Sequence, residues 1–224
     1  MKSKKLLFFL FAILFLYFGS ESSAKLGKFR TSKKPAKIAQ KRSLNSATRS
    51  PRCEKGLKPN SVELLVPEDK IAHKTRLANP PLYFKVNTTE PVTLKFVLVD
   101  SVGSAPLAKK TISVRQPGIQ KISLPPKVKL RENKIYLWNL AVACGKDNYQ
   151  GVLRAGIEKI PESESNITAE RKVKNAKTNF PKIQLYADNE VWYETLDLAV
   201  NEAKLGYGEG LEQLLLSSRV GVKP

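Results

Sequence analysis

The chain has 224 residues, with 39 Lys and Arg against 20 Asp and Glu for a formal charge of +19, and it holds one histidine and two cysteines. That length allows one domain with its own core plus appendages. So few His and Cys leave no cysteine–histidine metal spacing. The charge is uneven: residues 25–58 carry +11 and residues 59–224 only +6, which describes a mildly basic body behind a strongly basic segment rather than a uniformly basic binder.

At the N-terminus Lys2, Lys4 and Lys5 precede an unbroken apolar run of 13 residues, Leu6 to Phe18. The small residues Ser22-Ser23-Ala24 follow, so residues 1–24 read as a signal peptide with cleavage before Lys25. A spanning helix wants roughly 20 apolar residues, more than this run supplies. Lys25, Lys28, Arg30, Lys33 and Lys34 come directly after it, and basic residues in that place resist translocation. Residues 25–58 hold twelve Lys or Arg and one acid, Glu54. Their large apolar side chains, Leu26, Phe29, Ile38, Leu44 and Leu57, are isolated, so the segment reads as a disordered basic tail. It is either a solubilising spacer or an arm for an anionic surface, lipid or polysaccharide. Export argues against nucleic acid as its partner.

From Val62 the period becomes that of strands. The pattern predicts strands at Val62–Val66, Leu82–Val86, Val92–Asp100, Leu107–Arg115, Ile119–Leu124, Lys134–Cys144 and Gln150–Ile160. Turn chemistry separates them: Asn79-Pro80-Pro81, Val102-Gly103-Ser104, Gln116-Pro117-Gly118 and Pro125-Pro126. Short strands at this spacing without intervening helices predict a mainly β fold over residues 59–160, an immunoglobulin-like antiparallel β-sandwich, with a barrel as the alternative. In "VTLKFVLVD" Val92, Leu94, Phe96 and Leu98 share one face. In "KIYLWNLAVAC" Tyr136, Trp138, Leu140, Val142 and Cys144 share one face, yet the other holds Ile135, Leu137, Ala141 and Ala143. Strands apolar on both faces are covered on both.

The polar stretch Glu162 to Thr178 reads as a connector, within a linker spanning residues 161–181. A short C-terminal helical arm over residues 182–219 follows. Trp192, Leu196, Ala199 and Ala203 recur at helical spacing, and "LEQLLLSS" reads as a second helix after the glycines of "GYGEG". The arm is expected on or beside the sandwich, over the outer sheet face around Val97, Val99, Leu137 and Ala141. A partner protein or a second subunit is the other candidate for its apolar stripe.

No catalytic, cofactor-binding or metal-binding constellation emerges, which argues against an enzyme. His73 stands alone in a polar, loop-like segment and reads as solvated. The acidic groups Glu68 and Asp69, Glu162 and Glu164, and Asp188, Glu190 and Glu194 read as exposed carboxylates. "GYGEG" lacks the lysine and threonine of a phosphate loop and reads as a helix-ending turn. Asn87 and Asn166 begin glycosylation patterns that matter only in a eukaryotic secretory route. Cys53 and Cys144 are the most informative pair, because exported proteins seldom keep two thiols unpaired. Joining them closes a loop of about 90 residues, for which chain entropy predicts roughly 4–5 kcal/mol. Two separate thiols, one exposed and one buried, are the alternative.

Several stretches recur in order: "ELLVPE" after an upstream cysteine, "NPPLYFKV", "LKFVLVD", "PGIQKISLP", "YLWNLAVAC", "GVLRAGIEKI" and "LYADNEVWYETL". In this series, from Cys53 to Leu216, the chain resembles an uncharacterised cyanobacterial family of exported proteins classed as a domain of unknown function. The resemblance implies that Cys53 and Cys144 are the family's two recurring cysteines, Trp138 its strand tryptophan and Trp192-Tyr193 its helical aromatic pair. Lys85-Val86-Asn87 departs from the family's tyrosine–valine–proline ending, and Glu190 stands where a glycine precedes the Trp-Tyr pair. The resemblance carries no activity or cofactor. The expected protein is an exported, non-enzymatic module of the periplasm, cell envelope or extracellular space. It would bind a protein or glycan partner, and the alternative is a peripheral membrane or surface-polymer factor acting through its tail.

Overall fold

The structure is a computed structural model that describes Phe29, Leu57 and residues 61–67, 72–100, 104–144, 149–206 and 208–219. Among the described residues eight strands come first: β1 (Val62–Leu64), β2 (Ala72–Thr75), β3 (Leu82–Val86), β4 (Val92–Val99), β5 (Ala108–Val114), β6 (Gly118–Ile122), β7 (Lys134–Ala143) and β8 (Tyr149–Lys159). Four helices follow: α1 (Glu164–Asn175), α2 (Asn179–Asp188), α3 (Trp192–Lys204) and α4 (Glu209–Arg219). The described chain is mainly β. One sheet has the order β1-β3-β6, the other β2-β8-β7-β4-β5, and the arrangement is sandwich-like. Every pairing is antiparallel except β2 with β8, which is parallel.

Side-chain alternation explains how the larger sheet builds its interior. Leu94, Phe96 and Leu98 of β4 stand opposite Val142, Leu140 and Trp138 of β7, and all six are buried at 1% exposure or less. Leu153, Ala155 and Ile157 of β8 extend the same face. Leu82, Phe84 and Val86 of β3 supply the facing layer and join one continuous core with them. Fully burying each such side chain contributes roughly 1.5–3 kcal/mol, so this layer is the main source of cohesion.

The seven strands expected from the pattern are present within two residues of their predicted limits. The pattern misses β2. Its four residues, "AHKT", have no apolar alternation, and they become a strand because β8 offers a free edge for parallel pairing at Ala72–Gly156 through Thr75–Lys159. His73 is therefore not a solvated loop residue: it is buried at 3% exposure, within β2.

The stretch read as a connector contains a helix. Ser163 caps α1, its Oγ accepting from the Asn166 backbone N–H at 3.3 Å. Among the described side chains of α1 only Ala169 and Val173 are buried, which is why its apolar stripe is faint in the sequence. Gly206, at φ +95°, ends α3 in a conformation suited to glycine. The break between α2 and α3 is tight despite the missing glycine. Glu190 itself takes the left-handed conformation, φ 61°, and its carboxylate pairs with Lys74 at 2.6 Å.

The helical arm docks on its own chain, but not where the pattern places it. Trp192, Tyr193, Leu196, Ala199, Val200, Leu211 and Leu214 join the core shared by both sheets. Of the four outer-face residues, Val97, Val99 and Ala141 stay half-buried and Leu137 is buried. The reason is bonding partners: α3 finds them on both sheets, at Leu65, Thr75, Tyr83, Lys121 and Gly156.

Candidate functional site

The densest set of buried polar groups lies where α3 meets the end of β2. Pairing with β8 gives His73 the register of Ile157, an interior position, and Thr75 is two residues further along the same face. Thr75 is fully buried. α3 begins at Trp192, with Val191 in an isolated parallel bridge to Lys74, so the first turn of the helix is held beside β2. Glu194 belongs to that first turn.

Glu194 Oε1 accepts three hydrogen bonds, from Thr75 Oγ1 at 3.1 Å, the Arg76 backbone N–H at 2.6 Å and the Leu77 backbone N–H at 3.2 Å. The two N–H donors are backbone groups left over where β2 ends, and unmet they would be costly to bury. Thr75 Oγ1 also accepts from the Leu77 N–H at 3.1 Å. The other carboxyl oxygen, Glu194 Oε2, is buried without a hydrogen bond, as are Nε and Nη2 of Arg76. Glu194 is only 6% exposed. Burial pushes its carboxyl up to about 7, against the lowering effect of the hydrogen bonds it accepts.

Aromatic and charged groups of β2, α1, α2 and α3 lie at the same junction. The His73 ring lies 6.1 Å from the Trp192 ring and 6.5 Å from Phe29. Phe29 meets Trp192 edge-on at 4.9 Å. Arg76 Nη1 pairs with Glu170 of α1 at 3.0 Å, and its guanidinium lies 5.8 Å from the Tyr186 ring centroid. Tyr186 is pushed up to about 12, by burial first and then by the Glu170 and Glu194 charges.

The rest of α3 connects the two sheets. Trp192 Nε1 donates to the Leu65 carbonyl beyond β1 at 3.1 Å. Tyr193 Oη donates to the Gly156 carbonyl of β8 at 2.9 Å and accepts from Trp138 Nε1 at 3.2 Å. Its phenol is fully buried, which raises its pKa. Asp197 accepts from Tyr83 Oη of β3 and from Lys121 Nζ of β6. One helix is thus bonded to β2, β3, β6, β7 and β8.

The residues singled out from sequence fare differently. Of the acidic group Asp188, Glu190 and Glu194, Asp188 is exposed, Glu190 is half-buried against Lys74, and Glu194 is buried, so the exposed reading is corrected for the last two. Glu68 and Asp69 lie outside the described residues. Phe29 and Leu57, isolated apolar residues of the basic segment, both reach the core: Phe29 is 8% exposed, and Leu57 exchanges hydrogen bonds with the Gln150 side chain. Cys144 is half-buried just beyond β7, while Cys53 lies outside the described residues.

Chemically the junction can hold and it can titrate. Thr75 is the hydroxyl bonded to Glu194, but it is sealed from solvent and already donates to that carboxylate. Among the described residues no group of three or more His, Cys, Asp or Glu is placed to hold a metal ion. An open cleft of about 920 Å³ lies between α1 and α2, lined by Ile167, Arg171, Lys172, Leu185, Asp188 and Asn189; Thr75, Arg76 and Glu194 are not part of its lining. No helix among the described residues is long and apolar enough to cross a membrane.

No curated protein matches the chain. The family described as Domain of Unknown Function (DUF928) matches residues 44–206, the span that includes both sheets, the Glu194 junction and its bonding partners, and the chain belongs to that family.

Proposed function

We propose that this protein is an exported, non-enzymatic binding or structural module of the cell envelope or secreted space, built on an immunoglobulin-like sandwich. The observation that carries the reading is the use made of Glu194. Among the described residues, the one buried carboxyl spends its hydrogen bonds fastening α3 to β2, a task of cohesion rather than turnover. Strand adjacency supports the immunoglobulin-like topology. β1, β3 and β6 neighbour one another as strands A, B and E do, and β5, β4, β7 and β8 follow the order C′, C, F and G. Export, read from residues 1–24, supports a bond between Cys53 and Cys144. That bond would fix the entrance of the sandwich to the end of the Trp138 strand. The basic segment serves as a tether whose Phe29 and Leu57 are seated on the body.

Fractionation of cells that make the full chain is expected to recover it outside the cytoplasm, and recovery from cytosol alone overturns the export reading. Non-reducing mass mapping of the recovered protein should link the Cys53 and Cys144 peptides. Two alkylatable thiols would refute the bond. Capture from its own envelope should return a protein or glycan partner, whereas a substrate turnover abolished in Glu194→Gln would overturn the non-enzymatic reading.

A further inference from the structure

The body's positive charge is concentrated in one stretch. Between Arg76 and Arg131 the chain holds ten Lys and Arg against two acids, Glu90 and Asp100, for +8, while the remainder of residues 59–224 carries −2. Strand register gathers much of this charge at one end of the sandwich. β4 finishes beside the start of β5, with Leu98 opposite Ala108, and beside the start of β7, with Val99 opposite Leu137. The link that leaves β6 leads to that same start of β7. Lys109 and Lys110 at the start of β5 and Lys127, Lys129 and Arg131 in the link therefore share one end, and all five are exposed. None of them makes an ion pair with a described residue. The acids nearest in sequence are already neutralised, Asp100 by Lys134 and Glu132 by Lys159.

Two exposed leucines stand at that same end. Leu77 follows β2 and is 42% exposed, and Leu107 precedes β5 and is 40% exposed. β2 and β5 are the two edges of the larger sheet, so the leucines bracket its end. The Leu130 N–H donates to the Ala78 carbonyl at 2.8 Å, which holds the cationic link next to Leu77.

We propose that this end of the sandwich docks on an anionic lipid surface, with the five cations over the headgroups and Leu77 and Leu107 entering the interface. Lysine and arginine at an anionic bilayer are drawn to its surface potential, and leucine gains by leaving water for the acyl boundary. A polyanionic glycan would satisfy the cations but leave the leucines unused, so the pairing favours lipid. The inference rests on the reading of the body as a binding module and names its partner. It places the contact on the sandwich rather than on residues 25–58.

Flotation of the full chain with phosphatidylcholine vesicles, with and without phosphatidylglycerol, tests it. Binding should require phosphatidylglycerol and fall with added salt. Lys109→Glu/Lys110→Glu/Lys127→Glu/Lys129→Glu should lower vesicle binding by at least about tenfold. The matched reversal on α1 and just past its end, Arg171→Glu/Lys172→Glu/Lys174→Glu/Lys177→Glu, should change it less than about threefold. Leu77→Ser/Leu107→Ser, at exposed positions, is the second variant and should lower binding several-fold with no loss of net charge. Equal losses from both charge reversals, or no loss from the leucine variant, would overturn the proposal. Binding to dextran sulfate that depends on the same lysines, without vesicle binding, would overturn it in favour of a glycan. Vesicle binding is read on purified protein and cell fractionation on cells, so failure of the docking site and failure of the export reading are separable.

Discussion

Two regions of this molecule bury their residues on opposite principles. At the centre of the larger sheet, Trp138, Leu140, Phe96 and Leu98 exclude water with apolar surface, and the one polar atom among them, Trp138 Nε1, has its partner in Tyr193. At the junction of β2 with α3, the buried groups are His73, Thr75 and Glu194. There cohesion comes from a carboxyl that meets three donors at the end of a strand. The first region holds the fold together by area, which is insensitive to pH. The second decides where the helices attach, and it does so through a group that titrates.

The largest effect is expected at the apolar centre. Trp138→Ala should destabilise the protein by about 3–5 kcal/mol in denaturant unfolding, by lost transfer energy and by the cavity left behind. That loss should be nearly the same at pH 5 and at pH 8. A loss that varied strongly with pH would mean that the two regions are not separate.

The next effect sharpens the contrast by pH. The Glu194 carboxyl titrates about 7 in the native state, above its ordinary value of 4.5, so the folded protein binds more protons than the unfolded chain between these values. Its contribution to stability is therefore full below about pH 4.5 and is lost as pH rises through about 7. The expected swing is roughly 3 kcal/mol. Glu194→Gln keeps the acceptor oxygen and removes the titration, so the difference in pH dependence between the two proteins isolates this carboxyl from His73, Lys74, Arg76, Glu170 and Tyr186 around it. Parallel stability curves across that window would sink this assignment.

The smallest effect belongs to the turn that delivers Glu194 to its place. Glu190→Gly relieves a left-handed conformation that costs a non-glycine residue roughly 1–2 kcal/mol. It also removes a half-exposed ion pair with Lys74 worth about 0–1 kcal/mol and adds chain entropy to the unfolded state. The net change in stability should lie within about 1 kcal/mol of zero. A large loss would show that Lys74–Glu190 is part of the junction's cohesion and not an accessory to it.

What could be read from the chain divides along the same line. β4 and β7 were legible because short apolar runs rich in β-branched and aromatic residues, bounded by turn residues, read as strands: "VTLKFVLVD" alternates in its first half and "YLWNLAVAC" is apolar on both faces. The stripe Trp192–Leu196–Ala199 was legible because a helix that packs must repeat its apolar face, and all three are buried. Turn residues and glycines marked the breaks, since few residues adopt the conformations required there. Local period and local backbone preference carry that information within a dozen residues.

The position of the arm, the existence of β2 and the burial of Glu194 were decided only by tertiary contact. "AHKT" has no strand signal of its own and pairs because β8 presents a free edge more than 80 residues away in the chain. Nothing in "WYETLDLAV" distinguishes Glu194 from Asp197, yet one is sealed against β2 and the other reaches Tyr83 and Lys121. Burial of a carboxyl depends on which unmet donors lie opposite it. Those donors belong to residues far off in sequence, and only the assembled sheets bring them within reach.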